Sequence, residues 1–454
     1  MKNNKYHIVT IGCQMNKSDS ERIAGYLDNL GYKNVASKDL ADLLVVTTCG
    51  VRQSAEDRIY GIIPRFKKHN PGKKVILTGC LSGDKGVQRR LKKHVDIWLP
   101  ITELPQLAAQ LKKPKKNQNS LSGYFNIMPK YNSSFSAFIP IGNGCDNFCS
   151  YCYVPYARSR EVYRPADDII KEARSLVAKG YKEIILIAQN VNSYIFSHPS
   201  SSSLLMRRGD RREEDINFPD LLRMVNNIPG DFWLRFSTNH PKDMSNELIQ
   251  TAAKCEKVCE HIHLPAQSGD NDMLKKMNRK YTREHYINLI NKLRREFFKR
   301  KPAEDLWKLP LAITTDIIVG FPGETEKQFN ASKKLCHEVK FDMAYVSQYS
   351  PRPHTASFNM RDNVSKIEKK RRENCLMQIL RRYNLENNKK YMGKTVLVLV
   401  EGKTKKREWY GKTRTAKVVK IEKANSHNLK GKFTKVKIKQ AEDFGLRGEF
   451  VKSL

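Results

Sequence analysis

Three cysteines stand close together in NGCDNFCSYCYVP, residues 143–155: Cys145, Cys149 and Cys152, spaced C-x3-C-x2-C. Thiolates at such short spacing favour zinc or an iron–sulfur centre. A structural zinc ion wants a fourth Cys or His nearby, and none follows within a few residues. A [4Fe–4S] centre on three thiolates instead leaves one iron open to a small molecule. Phe148 and Tyr151 lie between these cysteines, where they either shield such a centre or simply pack. Three more cysteines share another pattern. Cys13 follows HIVTIG, Cys49 follows LLVVTT and Cys80 follows KVILTG. Each therefore sits at the exit of an apolar run. In an open parallel sheet the carboxyl ends of the strands converge on one crevice, so the pattern predicts a metal site shared by Cys13, Cys49 and Cys80.

The other four cysteines read differently. Cys255 and Cys259 are expected four apart on one helix, LIQTAAKCEKVCEH, with His261 and His263 just beyond. A helix-to-strand transition explains this group better than a zinc site. Cys336 and Cys375 are expected in the cores of helices. MKNNKYHIVTIGCQ has no apolar signal-peptide core, and no apolar run approaches bilayer length. A cytoplasmic protein is expected, with ten cysteines that are ligands or core residues, not disulfides.

These sites need a scaffold, and the chain alternates strand-like and helix-like segments. Residues 1–115 read as an open parallel α/β sheet domain, with Ser18 or Asp19 near a helix N-cap and Gly31 at its stop. A polar linker covers 116–130. Residues 131–387 hold six strand patterns separated by helices, which predicts a partial (β/α)6 barrel. The Ser- and Arg-rich stretch 197–215 reads as an insertion in a βα loop. Residues 388–454 have short alternating runs that predict a small all-β barrel or sandwich. The whole is an α/β chain of 454 residues with a formal charge of +36. The last 67 residues hold 19 Lys+Arg against 6 Asp+Glu, a net +13. Strands alternating Lys with Val, Ile or Phe pack one face and present cations on the other, the footprint of a nucleic-acid-binding module.

The C-x3-C-x2-C motif after a first barrel strand resembles the radical S-adenosylmethionine (SAM) superfamily. Longer strings narrow the resemblance: TIGCQMNKSDSE (10–21), TTCGVRQSAEDR (47–58), GCDNFCSYCYVPYARSRE (144–161), AQNVNSY (188–194), RFSTNHPKD (235–243), HLPAQSGDNDMLKKMNRKYT (263–282), TDIIVGFPGET (315–325) and GKTRTAKVV (411–419). In this order they resemble the methylthiotransferases of the MiaB type. The resemblance implies a radical SAM core between a methylthiotransferase domain and a TRAM domain. It implies two [4Fe–4S] clusters: one on Cys145, Cys149 and Cys152 with SAM as fourth ligand, and an auxiliary one on Cys13, Cys49 and Cys80. All six cysteines are then catalytic. Two SAM molecules are implied, one to methylate the cluster-bound sulfur and one to give a 5′-deoxyadenosyl radical. The implied reaction replaces the carbon-2 hydrogen of N6-isopentenyladenosine beside a tRNA anticodon with a methylthio group. Gln189 and Asn190 are implied to face the amino-acid part of SAM, Arg235, Ser237 and Gln267 to line the mouth, and Gly320 to lie against the adenine.

Partners implied are tRNA, an electron donor and a sulfur source, with a monomer expected. Sister groups modify threonylcarbamoyl-adenosine or a ribosomal-protein aspartate. GCQMN, CGVR and QNVNSY lean towards the isopentenyl group, and the basic C-terminal module suits RNA. A non-catalytic zinc or iron–sulfur RNA-binding protein is the rival of another class. It has no use for an open iron plus three cysteines at strand exits. The chain departs from the family pattern at Thr48, where Asn is usual, and at Asn239, where Ser is commoner.

Overall fold

The computed structural model describes residues 4–51, 53–111, 123–197, 215–300, 307–424 and 428–454. Of the expected linker, 116–122 lie outside these residues, whereas 123–130 are described and include a 3-10 turn at Tyr124–Asn126; most of the Ser/Arg-rich insertion, 198–214, also lies outside them. Among the described residues no helix is long and apolar enough to cross a membrane.

The N-terminal sheet is parallel and five-stranded. Its main strands are β1 (Lys5–Thr10), β2 (Leu43–Thr48), β3 (Lys74–Gly79) and β4 (Ile97–Leu99), with a two-residue edge at Lys33–Asn34 beside β1. β2 is buried along its full length, as an all-parallel strand covered on both faces must be. The first helix spans Gln14–Asn29 and has Cys13 at its N-cap. It thus starts earlier than the Ser18/Asp19 expectation. Those two residues lie inside it and are buried. Small polar residues normally mark a helix start, but here they face the interior, where Ser20 bonds Thr47 and Asn16 bonds the Thr48 carbonyl. The stop at Gly31 is as expected: φ is +80° and Tyr32 N–H donates to the Leu27 carbonyl.

Six parallel strands follow: β5 (Ser136–Pro140), β6 (Glu183–Ile187), β7 (Trp233–Phe236), β8 (His261–His263), β9 (Ala312–Val319) and β10 (Met343–Gln348). They do not form one continuous ladder. β7-β6-β5 and β8-β9-β10 are separate three-stranded sheets, joined at an isolated bridge between Leu234 and Val258. The outward residues of both halves, such as Ile184, Leu186, Leu234, Ile313 and Ile317, pack in one apolar core with the surrounding helices. Cys255 is the C-cap of the helix Asn246–Lys254. Cys259 lies beyond that helix, so the two are not on one helix as expected. Both are buried in apolar surroundings, and Cys336 is buried within its helix.

The C-terminal strands are β11 (Thr395–Lys403), β12 (Trp409–Thr413), β13 (Val418–Glu422), β14 (Phe433–Glu442) and β15 (Gly445–Ser453). They close into a barrel in the order β11-β12-β13-β15-β14. Closure removes exposed edges, and it resolves the barrel-or-sandwich alternative. The barrel rests on the central body through Leu399 and Phe433, which pack with Phe135, Trp233 and Cys259. Charged contacts reinforce this joint, with Arg414 on Glu260 and Lys417 on Asp342.

Candidate functional site

The loop carrying Cys145, Cys149 and Cys152 leaves β5 through a turn that only glycine can make. Gly144 has φ +86°, and a Cβ there would stand 2.0 Å from the Arg160 carbonyl oxygen. Backbone bonds hold the loop ends: Cys145 N–H donates to the Ser159 carbonyl and Cys152 N–H to the Cys149 carbonyl. A second segment, 276–279, clamps its middle. Ser150 bonds the carbonyls of Lys276 and Met277, and the Asn278 amide donates to the Phe148 carbonyl at 2.8 Å. Arg279 Nη1 stands 3.4 Å from Cys149 Sγ. Tyr151 packs edge-on to Phe321 as a shield over the loop, whereas Phe148 is exposed and packs against Tyr156. Desolvation pushes the Cys145 thiol up, and desolvation together with the Cys149 sulfur pushes Cys152 up further. As bare thiols they resist ionising, and a bound cationic centre would supply the missing counter-charge.

Cys13, Cys49 and Cys80 lie at the exits of β1, β2 and β3 respectively, as the sequence pattern predicts. Their backbones crowd together. A Cβ on Gly12 would come 2.9 Å from Cys49 Cβ, and one on Gly50 would come 3.3 Å from Cys80 Cβ. Cys49 and Cys80 are buried, while Cys13 is open to solvent. Cys13 Sγ bonds Asn16 Oδ1 at 3.1 Å, at the N-terminal end of a 16-residue helix where the backbone dipole favours negative charge. The two cysteine-bearing segments meet: a Cβ on Gly50, the neighbour of Cys49, would come 2.8 Å from the ring of Tyr153, the neighbour of Cys152. As they stand, no three His, Cys, Asp or Glu side chains among the described residues converge on one point to hold a metal ion. A cysteine places its sulfur through a single rotatable bond, χ1. The donor chemistry and strand-exit geometry fit iron–sulfur ligation.

The remaining predicted site residues divide. Gln189 and Asn190 leave β6. Gln189 Oε1 and Asn190 Oδ1 are buried without a donor, while Asn190 Nδ2 bonds Asp243 at 2.8 Å. Two orphan acceptors at the strand exit suit an ammonium group. Ser237, at the end of β7, donates to Gln14 Oε1 at 2.8 Å and so joins the mouth to the helix that follows Cys13. Gln267 has φ +64° and exchanges backbone bonds with Asp316 and Ile318 of β9.

Arg235 and Gly320 sit elsewhere. Arg235, expected at the mouth, donates to Glu183 at 2.7 Å and to the carbonyls of Arg414 and Thr413 at 2.8 Å each. It is a buried anchor for the C-terminal barrel. Its side chain runs back to Glu183, at the start of β6, and away from the strand exit where Ser237 stands. Gly320, expected against a cofactor, has φ +68° and donates to Glu324. A Cβ there would meet Lys369 Cγ at 2.3 Å, so Lys369 covers it.

Sequence reading did not single out Arg158. It comes from the short helix after the cysteine loop, yet it is buried in an ion pair with Asp19 of the first helix. Tyr124 bonds the other Asp19 oxygen. Arg158 also lies close enough to Cys80 and Cys13 to feel their charge. Its position in an Arg-rich string, YARSRE, gave no sign of this long-range contact.

Comparison with known proteins agrees with this layout. A model described as "Radical SAM superfamily" matches residues 139–336, one described as "Uncharacterized protein family UPF0004" matches 5–100, and one described as "TRAM domain" matches 389–451. Among solved structures, the radical S-adenosylmethionine methyltransferase TsrM from Kitasatospora setae superposes with a TM-score of 0.53 at 14% identity, over 79% of this chain and 74% of that one. That likeness shows the fold. The tRNA-2-methylthio-N(6)-dimethylallyladenosine synthase of Clostridium novyi (strain NT) is 41% identical, covering 94% of this chain and 96% of the relative. The protein of the same name from Thermoanaerobacter sp. (strain X514) is 40% identical, over 96% and 90%. With that identity along nearly its whole length, the chain belongs to the family of the radical SAM tRNA methylthiotransferases.

Proposed function

We propose that this protein replaces the carbon-2 hydrogen of N6-isopentenyladenosine in tRNA with a methylthio group. The observation that carries the reading is the closeness of two cysteine-bearing segments, one leaving the first strand of the radical SAM domain and one built from three strand exits. Cys145, Cys149 and Cys152 would hold a [4Fe–4S] cluster with SAM, and Cys13, Cys49 and Cys80 a second cluster. When bound, these groups supply hydrogen abstraction from carbon and the sulfur that is transferred.

The chain's own residues have separable tasks. Gln189 and Asn190 offer amide oxygens to the amino group of SAM. Arg279 places a guanidinium beside Cys149 and offsets negative charge on the thiolate set. Tyr151 and Phe321 exclude water from one side of the loop. Ser237 and Gln14 fix the separation of the two sites. The basic C-terminal barrel supports tRNA as the partner, and an external electron donor and sulfur source complete the set.

The test is mass spectrometry of tRNA nucleosides from a bacterium that lacks its own tRNA methylthiotransferase and expresses this chain. The expected product is 2-methylthio-N6-isopentenyladenosine. A methylthiolated threonylcarbamoyl nucleoside alone would move the substrate, and no methylthio nucleoside would overturn the reading.

A further inference from the structure

The inner faces of β8 and β9 carry a polar ladder that no step above uses. Ile262, Ile313 and Ile317 point outward into the helical core, so strand alternation turns His261, His263, Thr314 and Asp316 inward. They form one hydrogen-bonded chain. His261 Nε2 and His263 Nδ1 each lie 3.0 Å from Thr314 Oγ1, and His263 Nε2 lies 3.2 Å from Asp316 Oδ2. With both rings neutral, one assignment accounts for all three contacts: His261 N–H donates to Thr314, Thr314 O–H donates to His263 Nδ1, and His263 Nε2–H donates to Asp316. Burial and the nearby Arg235 guanidinium hold His261 well below the usual imidazole range, which keeps the lower ring neutral.

Asp316 ends this ladder at the open side. Its side chain is 39% exposed, and its sole ion-pair partner among the described residues is His263. In a chain with 83 Lys+Arg, a half-open carboxylate with no lysine or arginine in ion-pair contact among the described residues is a distinctive arrangement. Two residues further along β9, about 7 Å up the strand, Ile318 packs in the apolar group that includes Tyr151 of the cysteine loop. The register partner of Asp316 on β10 is Tyr345, a 49% exposed aromatic ring. An oriented acceptor and an open aromatic thus share one pleat of the interior, just below the cysteine loop.

We propose that Asp316 is a specificity-determining residue that accepts the N6 hydrogen of a singly N6-substituted adenine, with His263 as its positioning residue. The inference rests on the proposed methylthiotransferase reading and adds a contact to it. An ionised carboxylate can only accept. The N6-isopentenyl base has acceptors at its ring nitrogens and one N–H donor, at N6. Carbon 2 and carbon 6 flank N1, and their outward bonds diverge, so an acceptor that holds N6 can leave carbon 2 free. A strand-borne carboxylate locked by a histidine is also preorganised, unlike one on a loop.

The test is a two-by-two comparison on the loaded enzyme. Wild type and Asp316→Asn are each given tRNA carrying N6-isopentenyladenosine or N6-methyl-N6-isopentenyladenosine, which lacks the N–H. Product formation per enzyme is read as kcat/KM. For wild type the N-methyl base is expected to be poorer by about ten- to a hundredfold. Asp316→Asn is expected to lose a similar factor on the natural base and to show little remaining preference. His263→Phe is expected to weaken the preference, and His263→Gln, which can still donate, to restore it. An Asp316→Asn enzyme that keeps the full wild-type preference overturns this inference alone. A loss of SAM affinity in Asp316→Asn that matches its loss of product also overturns it, because the carboxylate then serves SAM. A wild-type enzyme that methylthiolates neither tRNA overturns the functional reading and this inference with it.

Discussion

At the scale of single residues, the two thiol sets are unequal in burial and in what surrounds them. Cys149 has Arg279 beside it, while Cys49 is buried against Gly12. Their substitutions should separate the two halves of the reaction. Cys149→Ala is expected to abolish both 5′-deoxyadenosine and methylthio product. Cys49→Ala is expected to keep 5′-deoxyadenosine formation and lose the methylthio nucleoside; chromatography of both products decides it, and full product from Cys49→Ala would remove the auxiliary-cluster assignment. Arg158→Met leaves Asp19 buried without its cation. Breaking a buried pair from one side costs about 3–5 kcal/mol, so a marked drop in melting temperature is expected, with Asp19→Asn in the same background recovering part of it.

At the scale of elements, strand exits and helix starts decide where the chemistry sits. Gly12 shows how tightly. A Cβ there would lie 2.8 Å from Asn16 Oδ1 and 2.9 Å from Cys49 Cβ, at φ +144°. Gly12→Ala is therefore expected to fold but to bind roughly half the iron of wild type, read by iron assay after reconstitution. The first helix carries a pH-dependent contact as well. Glu21 accepts the Asn132 N–H at 3.0 Å, and burial raises its carboxyl from 4.5 to about 7. A folded pKa above the unfolded one means the folded state binds the proton more tightly. Its contribution is full below about pH 4.5 and is lost as pH rises through 7. Glu21→Gln is expected to raise the melting temperature at pH 8 relative to wild type and to change it little at pH 4.5.

These elements also show what a sequence discloses. Cys13, Cys49 and Cys80 were legible because a strand exit is a local pattern with one spatial meaning in a parallel sheet. The start of the first helix was not, since buried Ser18 and Asp19 mimic caps. Arg235 was misplaced for a different reason: its partners are backbone carbonyls 178 and 179 residues away, and no periodicity encodes that distance. The ladder from His261 to Asp316 needed the register of two strands 53 residues apart.

At the scale of the whole molecule, positive charge is concentrated in the C-terminal barrel. Lys405, Lys406 and Arg407 lie exposed on the turn between β11 and β12. Replacing all three with Gln is expected to reduce the slope of log affinity for tRNA against log salt by about 2–3, measured by filter binding. An unchanged slope would place the RNA elsewhere. The three-part plan was readable from composition and alternation. The division of the six central strands into two half-sheets was not, because both halves share one periodicity and differ only in their pairing.

That division has a consequence for how such proteins can be recombined. The C-terminal barrel is seated where β7 meets the other half-sheet, with Arg235 reaching the Thr413 and Arg414 carbonyls, and Arg414 reaching Glu260. Exchanging tails between relatives at residue 388 would cut the chain at one point but the interface at several. A working chimera has to inherit Glu183, Arg235 and Glu260 along with the tail, so the unit that natural shuffling or a protein engineer can move is larger than the barrel itself.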